Sequence, residues 1–347
     1  MAAHCSPSGW VKITMTNFTH FSFFTLDMMV NSTLAPYLIL GAYLDIKQFK
    51  YLLFLIILCL YMFIVASNVL LSVVIAVNRS LHEPMYILLF VMFVNQLFGS
   101  TSLFPFLLVQ ILSDVHTISV PLCFLQVYCL HIYGSIEYFT LTIMSYDRYL
   151  AICYPLQYNS RMTNRKVAAL IVLEWVSSCV IVSIYTSMSY SLDHCKNVLN
   201  RVYCNNYSLV QLTCSDTTIN NIYGLISTVF SVCLPVILII YTYMRILKVC
   251  YSGSKATRQK AVSTCTPHLA SLLNFTLGVW VEILQSRLQW SHAPKIFEIF
   301  LSIYFLICQP LFNPLVYGLK LSKIRDHFHC LESDTLAGHK NEEFLKI

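Results

Sequence analysis

Charge is what this chain has least of. Asp, Glu, Lys and Arg make up 11% of its 347 residues, against about 25% in an ordinary soluble domain. Five stretches, 51–77, 84–113, 217–244, 261–281 and 299–319, contain none of the four. A water-facing surface is where such residues normally sit, so most of the chain is excluded from a soluble globular fold. Glycine is also scarce, nine in all. There is no GxSxG, no HExxH and no phosphate-cradling glycine loop, which removes the main hydrolase, zinc-protease and nucleotide-loop readings. We expect no enzyme and no catalytic residue. No internal repeat is visible, and only two acids, Glu137 and Glu174, fall within the apolar runs. A transporter or channel calls for repeats and for several charges along a path. Residues 1–27 lack a basic start followed by an apolar core, so no cleavable signal peptide is expected.

What is there is hydrocarbon: 57% of residues are hydrophobic. The five uncharged runs are joined by 115–146 and 167–192, which carry one acid each. All seven exceed the roughly 20 residues a helix needs to span a bilayer. They are too long for barrel strands and show no alternation of period two, and in lipid only helices or closed barrels satisfy their backbones. The expected fold is an all-α membrane protein, a seven-transmembrane helix bundle at 51–319. An outer N-terminal tail occupies 1–50, and a cytosolic tail at 320–347 contains a short amphipathic segment. With the N-terminus outside, thirteen Lys and Arg lie on the inner loops and the start of the tail, against seven outside. That bias puts the C-terminus in the cytosol. The net charge of +6 is thus a consequence of topology and no sign of a nucleic-acid partner. Met28 and Met29 directly precede VNSTLAPYLILGAYLD, an ordinary short outer segment, so residues 1–27 read as a gene-model extension.

Fourteen cysteines are present. Nine lie in spans or on the inner side, where thiols stay reduced. Four gather at the outer side: Cys123 at the top of the third span, and Cys195, Cys204 and Cys214 in the loop before the fifth. Four cysteines allow three pairings, and spacing does not choose among them. Asn17, Asn31 and Asn206 begin outer N-glycosylation sequons, Asn31 being present from either start. The same pattern at Asn78 and Asn274 falls on the inner side and inside a span. Cys330 follows LSKIRDHFH and is either palmitoylated or a free cytosolic thiol.

The run MSYDRYLAICYPLQY at 144–158 places Asp147, Arg148 and Tyr149 where the third span is expected to leave the bilayer. It resembles MAYDRYVAICxPLxY, the signature of odorant receptors within the rhodopsin-like G-protein-coupled receptors. LHEPMY at 81–86 resembles their LHxPMY, and KAVSTCTPHL at 260–269 their KAFSTCxSHL. PLFNPLVYGLK at 310–320 resembles PxLNPxIY, and CSDT at 214–217 the end of their second outer loop. Together these cover about 40–325 in the family's order, and PMYILL and TCTPHL look most like fish-type receptors. The chain departs from the family in its long tail, in Val262, in Thr266-Pro267, and in Asn95-Gln96, where the second span often has an acid.

The resemblance implies a receptor of the plasma membrane. It would bind a small odorant in the outer half of the bundle and activate a heterotrimeric G protein, a stimulatory one that raises cAMP. It implies Cys123–Cys204 and Cys195–Cys214 disulfides. It implies that Asp147 holds Arg148 at rest, with Tyr149, Tyr243, Asn313, Pro314 and Tyr317 in the switch. Pro314 bends the seventh span, and Pro235 is a second candidate bend in the fifth. For the ligand we single out His131, Gly134, Ser135 and Tyr138 below Cys123, Ser227 and Ser231 on the fifth span, and Thr276 and Trp280 on the sixth. Each of these types also serves as glue between helices. Glu137 sits near mid-membrane, where a lone acid is by default functional. With Asn95, Gln96 and Asn313 at comparable depth it would form the oxygen set of an allosteric sodium ion. Because the second-span acid is missing, a protonated Glu137 hydrogen-bonded within the bundle, with no ion, stands as an equal reading.

Overall fold

The structure, a computed structural model, describes residues 37–43, 49–252, 255–287 and 295–320. Asn17, Asn31, the 1–27 extension, Cys330 and the amphipathic segment lie outside the described residues. Seven long helices dominate: α1 (Phe49–Val77), α2 (Pro84–Leu112), α3 (Val120–Cys153), α4 (Asn164–Tyr190), α5 (Thr218–Ser252), α6 (Lys255–Arg287) and α7 (Lys295–Lys320). By length and composition six of them are apolar enough to cross a membrane, and α3 is the exception. Its position explains this. α3 packs against α2, α4, α5 and α6, so its polar side chains meet protein and not lipid. The outer helices invert the pattern, and α1 exposes Leu52, Leu55 and Ile56, α4 Val172, Leu173 and Val176.

Helix ends follow local chemistry. Proline opens α2 at its first position after Glu83, where the missing N–H would be unpaired anyway. The Thr163 side chain accepts from the Lys166 backbone N–H at 3.3 Å and caps α4, as short polar residues do at that position. α5 contains a π turn at Val229–Cys233, just ahead of Pro235. Two helices run further than the apolar runs suggest. α3 continues past Asp147-Arg148 to Cys153, and α6 continues past Val281 to Arg287.

At the end of the bundle that carries the disulfides, part of the expected tail is built into the fold. Strand β1 (Tyr37–Leu40) pairs antiparallel with β2 (Thr117–Ser119) and parallel with β3 (Val198–Leu199). The inward residues Leu38 and Leu40 bury against Val120, Phe124 and Leu209. The same small core holds Cys123 and Cys204, so the N-terminal strand, the top of α3 and the loop before α5 share one roof.

Candidate functional site

Beneath that roof, between α3, α4, α5 and α6, lies a cavity of about 230 Å³. His131, Gly134, Ser135 and Tyr138 line it from α3, and Ser227 and Ser231 from α5. The His131 ring shares a 2.8 Å contact between Nδ1 and the Val127 carbonyl. Only an N–H can donate there, so Nδ1 carries a proton. Ser135 is partly committed elsewhere, its hydroxyl lying 2.9 Å from that of Ser178 on α4.

The two residues singled out on α6 are not brought to the cavity. Trp280 is 41% exposed on the outer face of the bundle, and Thr276 does not reach the lining. The face of α6 that does is Val279, Glu282, Ile283 and Ser286, the i, i+3, i+4, i+7 stripe of a helix. Glu282 escaped notice because it falls one residue beyond the charge-free run. It is the cavity's one acid among the described lining residues.

Loop 201–206 forms the cavity's ceiling and is tied down from three sides. Cys204 is joined to Cys123, with Cα atoms 5.5 Å apart, and Cys195 to Cys214 at 5.7 Å. The Cys204 backbone N–H also donates to Gln126 Oε1 at 2.9 Å. Arg201 donates to Ser302 of α7 at 2.9 Å and to Ser286 of α6 at 3.1 Å, with Glu282 3.8 Å away. Asn205 donates to Glu282 at 3.0 Å while its own Oδ1 caps the short helix Asn206–Val210. Asn206, read in the sequence as a glycan acceptor, is buried at 1% exposure and lines the cavity. A buried amide facing inward is not a surface attachment point, so the structure corrects that reading. No metal-ligating group of three or more His, Cys, Asp or Glu occurs among the described residues.

At mid-bundle Glu137 is fully buried. Its carboxylate accepts from Asn95 at 3.0 Å, Gln96 at 3.1 Å and Asn313 at 3.2 Å. α2, α3 and α7 therefore meet at one acid. The three amides turn N–H groups, not carbonyl oxygens, toward it, and their own oxygens are unpartnered. As placed, the donor set satisfies a carboxylate without an ion. A sodium ion would need those amides turned over, and Met92, whose sulfur lies 3.6 Å from Asn313 Nδ2, is a weak partner for one.

Further along α3, His268 of α6 lies 2.5 Å from the Tyr243 hydroxyl and 2.9 Å from the Leu141 carbonyl. One tautomer satisfies both: Nε2–H donates to the carbonyl and Nδ1 accepts from Tyr243. α3, α5 and α6 are thereby clamped at one ring that the sequence reading did not select. At the end opposite the disulfides Arg148 pairs with Asp147, and Tyr158 donates to Asp147 at 2.6 Å. Asp147 is fully buried. The acid is shielded by its partners within the helix's own packing, while Arg148 is partly exposed. Burial, then the Asp147 charge, push the Tyr158 phenol well above its usual range, which keeps it a donor. Tyr149 stands beside Tyr154, hydroxyls 3.4 Å apart, and with Arg245 and Lys248 lines an open cleft. Tyr317 is buried nearby in the main core.

A family model described as "Olfactory receptor" matches residues 57–333. Human olfactory receptor 10A3 is 31% identical over 296 residues, 85% of this chain and 93% of its own length. Human olfactory receptor 5I1 is 34% identical over 301 residues, covering 85% and 94%. Mouse olfactory receptor 1M1 is 32% identical over 273 residues, covering 77% and 85%.

Proposed function

The chain belongs to the olfactory receptor family, a multi-pass family of the plasma membrane, and on that premise we propose that it binds a small odorant in the roofed cavity and signals through a heterotrimeric G protein, raising cAMP. The observation that carries this reading is one continuous path along α3. His131 and Tyr138 line the cavity, Glu137 ties α3 to α2 and α7, Leu141 meets His268, and Asp147 holds Arg148. Cys123 and Arg148 are 25 residues apart on one helix, roughly 37 Å at about 1.5 Å per residue. A ligand that favours one arrangement of α3, α5 and α6 would shift the clamp at His268 and free Arg148. It can move that equilibrium only by its differential affinity for the two states.

The disulfide end faces outside in this proposal, supported by the excess of Lys and Arg at the Arg148 end. The cleft lined by Tyr149, Arg245 and Lys248 then opens to the cytosol and is the docking place for the G protein. Glu137 acts as a hydrogen-bonded hub, with sodium binding the competing outcome. The test is a panel of small metabolites applied to cells expressing the receptor, with cAMP as readout. Ligand-evoked cAMP that disappears without the stimulatory G protein supports the reading. A ligand-dependent ionic current in the absence of G protein overturns it.

A further inference from the structure

Asn206 is the anomaly of the cavity. It is 1% exposed, it lines the cavity wall, and neither Oδ1 nor Nδ2 has a hydrogen-bond partner. Tyr185 is a polar neighbour, at a geometry that leaves both amide atoms unbonded. Buried polar groups are normally paired, and one left without partners costs free energy. The position is also rigid. Cys204 is bonded to α3, Asn205 is bonded to Glu282 and caps the helix that Asn206 begins. The backbone therefore holds the amide at the cavity wall.

We infer that the Asn206 carboxamide recognises the ligand's head group, and that this head group offers an acceptor and a donor side by side, as a primary carboxamide or a lactam does. This rests on the reading of the cavity as the odorant site. The chemistry narrows the choice. A carboxamide presents N–H and C=O in one plane, and a planar partner with the complementary pair closes two bonds at once. The same fork lets asparagine grip the edge of adenine. A lone hydroxyl can reach both atoms only through a strained ring with two bent bonds, weaker than the planar pair. A carboxylate has no donor for Oδ1. An ammonium would seek a free carboxylate, but Glu282 already faces Arg201, Asn205 and Ser286, and Arg287 adds a cation over the Tyr207 ring at the exposed rim. The remaining wall, with Leu130, Val182, Val279 and Phe305, suits an apolar body. The cavity's roughly 230 Å³ lies below the 300–1,000 Å³ or so of drug-sized sites, so the body is small.

The experiment uses the full receptor in cells, at surface expression checked by label, with cAMP as readout. The probes are short straight-chain primary amides and lactams, with esters, alcohols, carboxylates and amines of matching chain length. We expect agonists among the amides or lactams, and Asn206→Leu to lower their potency by about tenfold or more while agonists without the paired head lose little. A site built to bond a polar head discriminates strongly against its absence. Ser208→Ala destroys the sequon but spares Asn206, and should leave the response intact. Agonists that depend on His131 or Ser231 but are indifferent to Asn206→Leu would overturn the inference and leave the receptor reading standing. A surface receptor silent to every probe class would overturn both. A glycan found on Asn206 by peptide mass analysis would overturn the inference alone, because a glycosylated amide cannot close the pair.

Discussion

At the scale of single residues, the sharpest expectation concerns Glu137. Three amide N–H groups converge on its two oxygens. Glu137→Gln keeps the shape but replaces one acceptor by a donor, so at least one of Asn95, Gln96 or Asn313 must either face a like group or turn over and give up its present bonds. An unmade buried bond of this kind costs about 1–3 kcal/mol. Because the hub ties α2, α3 and α7 in the described state, we expect the variant to raise basal cAMP by about fivefold or more at matched surface expression, about 1 kcal/mol at tenfold per 1.4. Unchanged basal signal, potency and salt response would remove Glu137 from the switch. A sodium dependence of the wild type that the variant loses would favour the ion instead. Much of this site is visible in sequence because depth along a helix is a count of residues. Depth, with the family resemblance, is what groups Glu137 with Asn95, Gln96 and Asn313. Azimuth is harder. His131, Ser135, Tyr138, Ser227 and Ser231 reach the cavity, but the face of α6 was misjudged by one residue's rotation, which sent Trp280 outward. Asn206 was masked by its own sequon, a local pattern that says nothing of burial.

At the scale of elements, the prolines show how a helix defect is repaired by a neighbour. Pro314 has no N–H, so the carbonyl of Pro310, four residues earlier in α7, loses its helical donor. Asn68 of α1 supplies one, its Nδ2 lying 2.9 Å from Pro310 O. Asn68→Leu should therefore leave a buried carbonyl unpaired and destabilise the solubilised receptor by about 1–3 kcal/mol. Pro314→Ala restores the backbone donor, so the double variant should recover part of that loss. Additive losses in the thermal midpoints would show that Asn68 does not serve the defect, since only coupled sites depart from additivity. The apolar runs made the seven helices legible, and prolines marked candidate bends. What they could not reveal was the partner: Asn68 and Pro310 lie 242 residues apart, and no local pattern encodes a contact at that distance. The π turn at Val229–Cys233 was equally invisible, since proline announces a defect but not how the turn before it absorbs the extra residue.

At the scale of the whole molecule, the described residues form one bundle with two working ends, and the loop before α5 closes the ligand end. Its pairing is the first thing to check: non-reducing peptide mapping should give Cys123–Cys204 and Cys195–Cys214, and a Cys123–Cys195 or Cys123–Cys214 linkage would refute that architecture. The roof's small sheet was not foreseen, because strands of two to four residues are too short to show a period. Nor was the role of Arg201, which the sequence offered only as one more outer cation. Covalent anchoring fixes the loop to α3 alone. Arg201 bridges it to α6 and α7 together, through Ser286, Glu282 and Ser302, beside Asn205, which bonds Glu282 and Ser286, and Tyr203, which bonds the Ser302 carbonyl. A ligand beneath the loop thus touches a ceiling whose position depends on three helices at once. Removing the guanidinium leaves Glu282 with Asn205 and Ser286 but no cation, and an acid stripped of its buried partner is costly, about 3–5 kcal/mol where burial is complete. Glu282 keeps some solvent contact, so we expect a smaller loss. Arg201→Met, which retains most of the side chain's bulk, should lower ligand potency by about tenfold or more while leaving the disulfide map and surface expression unchanged. Pairing it with Glu282→Gln removes the stranded charge and should recover part of that potency. If Arg201→Met binds and signals as the wild type does, the guanidinium plays no part in coupling the ceiling to α6 and α7, and the loop is held by its disulfide with Tyr203, Asn205 and the Gln126 contact.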